Sequence, residues 1–210
     1  MKQGLSIIAA AIAATGVAHA QFHKKTGPYI GGGIGAFQLA DDTATTPGGA
    51  ELTNDVGPRV AFSVYAGKAV SEVLLLEGQI GFWSAQWDGF EDAPVTFTCP
   101  AADPDDCLDP LIRTASVTAN AILTAPLDSK VRPYIGGGAG FFSTDLNLDD
   151  VDASYGFGYL AKAGVDFEVS TGLRLGFEGV YVGAPEAEFD NFVDMEVAGF
   201  AGLLTLTGQF

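Results

Sequence analysis

Residues 155–167 read YGFGYLAKAGVDF. The odd positions are Tyr155, Phe157, Tyr159, Ala161, Ala163, Val165 and Phe167; the even ones are Gly156, Gly158, Leu160, Lys162, Gly164 and Asp166. A strand sends successive side chains to opposite faces, so this run makes one aromatic–aliphatic face and one face of glycine, Lys and Asp. The same contrast recurs at 173–182, where Leu173, Leu175, Phe177, Gly179 and Tyr181 oppose Arg174 and Glu178. It recurs again at 73–83, where Leu74, Leu76, Ile80 and Phe82 oppose Glu77 and Gln79. This is inverted for a barrel in water. It suits a barrel whose greasy face meets lipid, where an outward Lys or Arg at the midplane would cost about 2–4 kcal/mol.

Working outward, strand-like alternation covers 28–39, 58–68, 73–83, 112–125, 132–143, 155–167, 173–183 and 195–210. Each run is close to the ~10 residues that a tilted membrane strand needs. The connections at 68–72, 125–131 and 168–172 are short, whereas 40–57, 84–111, 144–154 and 184–194 are long. Short turns on one side and long loops on the other mark an outer-membrane barrel, with the turns in the periplasm. Charge follows the same division: the four long loops hold 19 of the 26 acidic residues and no Lys or Arg. A soluble sandwich gives no reason for that sorting. The fold predicted is all-β, an eight-stranded antiparallel up-and-down transmembrane β-barrel, with strand extensions above the membrane around 84–111. Ten strands is the alternative, if Val95–Cys99 joins an added hairpin. Tyr155, Trp83 and Phe141 are expected in the outer aromatic girdle, and Phe167 and Phe210 in the inner one.

The first twenty residues look like an export signal. Lys2 supplies a positive start, Leu5–Ala14 an apolar stretch, and Ala18-His19-Ala20 a small-x-small cleavage pattern. The apolar run is too short for an anchor helix, which needs about 20 residues. Residues 1–20 are therefore expected to be a cleaved signal peptide and 21–210 one barrel domain. The whole chain carries a formal charge of −16, and loss of Lys2 makes it −17. Such acidity repels nucleic acid and attracts cations. Cys99 and Cys107 stand close together in an acidic, Pro-rich stretch. Export implies an oxidising compartment, so a disulfide between them is expected; a metal pair is the alternative, with no histidine nearby to support it.

An internal repeat relates PYIGGGIGAF at 28–37 to PYIGGGAGFF at 133–142. Glycines 31, 33 and 35, and 136, 138 and 140, share one face. No Lys-Ser or Lys-Thr follows to suggest a phosphate loop, and glycine relieves crowding where a small barrel curves. The chain ends on Phe210 after the alternating LTLTGQ. With the signal peptide, the two PYIGGG strands and the 155–167 strand, this ending resembles the small outer-membrane β-barrel family, OmpA/OmpX-like and porin-like. That resemblance implies residence in the outer membrane of a Gram-negative cell, contact with outer-membrane lipid and lipopolysaccharide, and recognition by the barrel-assembly machinery through the strand ending in Phe210. A monomer is expected, and the acidity argues against a nucleic-acid partner. The resemblance leaves function open, because the family includes structural proteins, adhesins, narrow pores and a few enzymes.

Enzymes of this kind use Ser with His, or Asp with His, near the outer rim. Beyond residue 20 the chain has one histidine, His23, on the turn side, so Ser143 and Ser154 lack a base and no enzyme is expected. Asp145, Asn147, Asp149 and Asp152 space oxygen ligands two apart, as calcium loops do, but without the turn glycine or the closing glutamate. They are a weak divalent-cation candidate for Ca or Mg; no other cofactor is expected. Arg59, Glu77, Lys162, Asp166, Arg174 and Glu178 are expected inside the barrel, as ion pairs filling it, since eight strands leave an interior just wide enough for side chains. The leading function is a non-enzymatic integral barrel with a structural or surface-interaction role. The alternative is a narrow, cation-preferring porin-like channel.

Overall fold

A computed structural model describes residues 27–40, 43–45, 51–90, 111–146, 153–184, 187–189, 193–195 and 197–210. The strands in chain order are β1 (Pro28–Leu39), β2 (Thr43–Thr45), β3 (Glu51–Ala69), β4 (Leu74–Phe90), β5 (Leu111–Thr124), β6 (Val131–Leu146), β7 (Ser154–Ser170), β8 (Leu173–Gly183), β9 (Ala187–Phe189), β10 (Val193–Met195) and β11 (Ala198–Gln209). Eight of them form the barrel. Each of β3 to β8 pairs antiparallel with its sequence neighbour, β8 pairs with β11, and β11 with β1. Pairing of β1 with β3, from Pro28 opposite Lys68 to Phe37 opposite Arg59, closes the cylinder. Closure removes every edge from the membrane-crossing wall, which a sheet in hydrocarbon requires.

The turn end is compact. Val70 N donates to Leu74 O at 2.9 Å, and the Ser71 hydroxyl oxygen accepts from Leu74 N at 3.1 Å. Thr171 and Gly172 join β7 to β8, and Gly172 takes φ 75°, a left-handed conformation that favours glycine over any residue with a Cβ. Phe210 N donates to Pro28 O at 2.9 Å, so the last residue seals β11 against β1 at this end.

The faces sort as the alternation demands. Outward stand Ile34, Ile80, Val117, Ile135, Phe177 and Phe200, each more than 60% exposed, while Lys162, Glu77 and Glu178 are 3%, 5% and 4% exposed inside. Apolar outside and ionised inside is a membrane arrangement. Tyr155 and Phe141 stand outward towards the loop end, with Phe157 edge-on to Phe141, and Phe167 and Phe210 are exposed at the turn end.

Three expectations are corrected. Trp83 is not a girdle residue: it is wholly buried inside the barrel, because it shares the odd parity of Glu77 and Gln79 along β4. Arg59 is exposed, not interior. A register shift between Pro58 and Ala61 breaks the alternation of β3 against β4 there, and the Arg59 guanidinium donates to Gln86 Oε1 at 2.5 Å on the surface. Residues 51–57, read as loop, extend β3, whereas 84–90 extend β4 as the strand extension expected around 84–111; β2 pairs with β3 while β10 pairs with both β2 and β9. Above the bilayer there is water on both faces, so these strands carry no greasy stripe to read. Val95–Cys99, the proposed extra hairpin, lies outside the described residues.

Candidate functional site in the barrel interior

The interior divides into two halves along the axis. The turn half and middle are polar. Lys162, on β7, is held by Glu77 Oε1 on β4 at 2.5 Å, by Gln79 Oε1 at 3.0 Å and by Glu178 Oε2 on β8 at 3.5 Å. Both carboxylates have neutral donors as well. Tyr29 OH donates to Glu77 Oε2 at 3.1 Å and Asn120 Nδ2 to Glu77 Oε1 at 3.2 Å, while Tyr134 OH donates to Glu178 Oε2 at 2.8 Å. Closer to the turns Arg132 pairs with Asp166 at 2.8 Å. Arg174 lies 3.5 Å from Glu168 and donates to the carbonyl of Ser129 at 2.9 Å. That bond ties the 125–130 turn, with buried Leu127, across the barrel mouth. In so low a dielectric each ion needs a partner of this kind, because an unpaired buried charge costs several kcal/mol.

Glycine makes this packing possible. Tyr29, Tyr65 and Tyr134 stand directly opposite Gly67, Gly31 and Gly164 on neighbouring strands. A Cβ on Gly67 would lie 2.5 Å from the Tyr29 hydroxyl, and one on Gly164 would lie 2.5 Å from the Tyr134 hydroxyl. Each ring therefore lies over a bare backbone on the neighbouring strand, from where the hydroxyls of Tyr29 and Tyr134 reach Glu77 and Glu178 and that of Tyr65 pairs with the Thr207 hydroxyl.

The loop half is mainly apolar and holds no buried ion among the described residues, its buried hydroxyls including Ser116 and the Thr114–Thr144 pair. Phe37, Trp83, Ile112, Phe142, Val182 and Leu203 are each at most 3% exposed and belong to one cluster that fills the cylinder. Phe37 and Trp83 rings lie 6.1 Å apart, and Trp83 Nε1 donates to Ser116 Oγ at 3.2 Å, satisfying the one polar atom of the indole.

The structure thus brings together Glu77, Lys162 and Glu178 in one triad, with Asp166 and Arg174 nearer the turns; Arg59 is remote from them. Sequence reasoning passed over Tyr29, Tyr65, Tyr134, Arg132 and Asn120. Parity was the available signal, since Tyr29 and Tyr134 share the face of the glycines that follow them. Of the cation candidates only Asp145 is described. It stands opposite Arg113 across the β5–β6 ladder, a cation of the chain's own. Among the described residues no group of three or more His, Cys, Asp or Glu side chains is arranged to hold a metal. Asn147, Asp149, Asp152, Cys99, Cys107, His23 and the 1–20 segment lie outside the described residues.

Comparison with known proteins agrees with this architecture. Residues 7–195 match the model of the outer membrane protein beta-barrel domain family. Among solved structures, the outer membrane protein OprG from Pseudomonas aeruginosa superposes with a TM-score of 0.65 at 14% identity, over 88% of this chain and 96% of that one. AlkL, an outer membrane protein determined in lipid bilayers, gives 0.57 at 14% identity, over 92% and 95%. Neisserial surface protein A gives 0.50 at 17% identity, over 88% and 98%. At these identities the likeness is one of fold. No curated protein sequence matches the chain.

Proposed function

Since the chain belongs to the outer membrane protein β-barrel family, we propose that it acts as a closed, non-enzymatic barrel whose role is structural or lies at the cell surface, not in conduction. The observation that carries this reading is the apolar cluster around Phe37 and Trp83, which packs across the loop half of the interior. Ions do not cross such a segment unless it is displaced, because a bare charge in hydrocarbon-like packing is far costlier than in water. Support for the non-enzymatic part is chemical. The loop end holds many carboxylates but no histidine, and general base work near neutral pH is usually given to histidine.

The same reading assigns the chain's contacts. Lipid hydrocarbon covers the outward aliphatic face, and the acidic loops meet lipopolysaccharide through Ca or Mg bridging carboxylates to phosphates. The strand ending in Phe210 is the element offered to the assembly machinery. Planar-bilayer recording with purified full-length protein tests the proposal. Electrical silence is expected. Discrete, cation-selective steps would replace it with the narrow-pore reading, which the acidic loops would then serve by concentrating cations.

A further inference from the structure

Between the Lys162 triad and the turn-end mouth lies a cavity of about 20 Å³, whose wall includes Glu77, Glu178, Lys162, Arg132, Tyr65 and Tyr134. Two of these side chains each carry one buried atom with no hydrogen-bond partner: Oε1 of Glu178 and Nε of Arg132. Glu178 is 4% and Arg132 6% exposed, so bulk solvent does not serve them. One atom is an acceptor and the other a donor.

The place for a cation here is already taken. The Lys162 ammonium lies between Glu77 and Glu178 and 5.2 Å from the centroid of the Tyr65 ring. Among the described residues the buried ions also balance, Arg132, Lys162 and Arg174 against Glu77, Asp166 and Glu178. A guest that left this balance intact must be neutral, must donate to a carboxylate oxygen and must accept from a guanidinium N–H. Its size is limited to one or two water molecules, each needing about 10–15 Å³ measured this way.

We infer that the cavity is a binding site for internal water, which donates to Glu178 Oε1, accepts from Arg132 Nε and so joins the Lys162 triad to the Arg132–Asp166 pair. At the cavity wall water supplies the two bonds that the side chains there leave unmade. This inference concerns the polar half only, and holds whether or not the apolar half conducts.

Water-edited solid-state NMR of the full chain in lipid bilayers tests it without any substitution. Polarisation from water is expected to reach the Glu178 carboxyl carbon and the Arg132 guanidinium carbon several-fold faster than the Trp83 and Phe142 ring carbons. Equal build-up at Glu178 and Trp83 overturns the inference. Crystals soaked in rubidium or bromide provide the second arm: no anomalous peak is expected in the cavity, and a peak there overturns the inference by showing a charged guest. The conductance of the same preparation, read separately, decides the closed-barrel proposal.

Discussion

Replacing Lys162 by Met removes the single cation that two buried carboxylates share. The Lys162 side chain is 1% exposed and those of Glu77 and Glu178 are 2% each, so water does not take its place. Glu77 keeps Tyr29 and Asn120 as donors and Glu178 keeps Tyr134, but both charges stand uncompensated. Breaking a buried pair by deleting one partner costs about 3–5 kcal/mol, a factor of roughly 10² to 10⁴ in the folding equilibrium at ~1.4 kcal/mol per tenfold. Removing all three charges, as K162M/E77Q/E178Q, deletes the penalty with the pair. The glutamine oxygens still accept from the tyrosines, so the triple variant should lie within about 2 kcal/mol of the parent, as charge-free replacements of buried pairs do. Guanidinium unfolding in lipid vesicles, followed by Trp fluorescence, measures the series. If the triple variant is as unstable as K162M alone, the destabilisation comes from lost packing and the electrostatic reasoning is wrong.

Trp83→Ala should cost about 3–5 kcal/mol by the same assay, the range for emptying a large aromatic site; a loss below ~1 kcal/mol would mean that the loop half is not close-packed. On the outer face, Ile80→Arg near mid-bilayer should cost about 2–4 kcal/mol and Val131→Arg at the turn end about 0–1 kcal/mol, and equal costs would contradict the assigned depth. Gly140→Ala would drive a Cβ into the carbonyl oxygen of Val117 on β5 and should prevent the heat-modifiable band shift of the folded barrel, whereas Gly78→Ala meets nothing within 4 Å and should fold as the parent does.

Where lipid lies on one side and a polar interior on the other, the two-residue period is visible in the sequence, and β1, β7 and β8 fall within three residues of where the alternation puts them. The misses have separate physical causes. Trp83 has the size and apolarity of a lipid-facing residue, and only its parity with Glu77 and Gln79 sends it inward. Arg59 has the right parity, but a bulge beside Pro58 moves it to the surface. The polar run ELTNDVG at 51–57 has neither a greasy face nor a charged one, so nothing distinguishes a strand above the membrane from a loop. Which carboxylate meets which cation is equally invisible: Lys162 and Glu77 lie 85 residues apart and meet across the barrel.

Among the described residues the buried ions cancel, three against three, and so add nothing to the formal charge of −16. The outward faces crossing lipid carry almost no charge, because each ion there would be expensive. In sequence, the acidity is concentrated in the long connections, where 40–57, 84–111, 144–154 and 184–194 hold 19 of the 26 acidic residues and no Lys or Arg, with Arg113 opposite Asp145 at the end of one of them. Repulsion within that set is long-ranged in dilute salt and falls off over about 10 Å at 0.1 M. On the proposed reading, the chain's electrostatic work lies at its outer surface. A thermal midpoint that rises with added Mg and falls with chelator, more steeply than sodium at matched ionic strength explains, is the expected result. A midpoint that follows ionic strength alone would mean screening without bound divalent ions, and the proposed bridging to lipopolysaccharide would lose its basis.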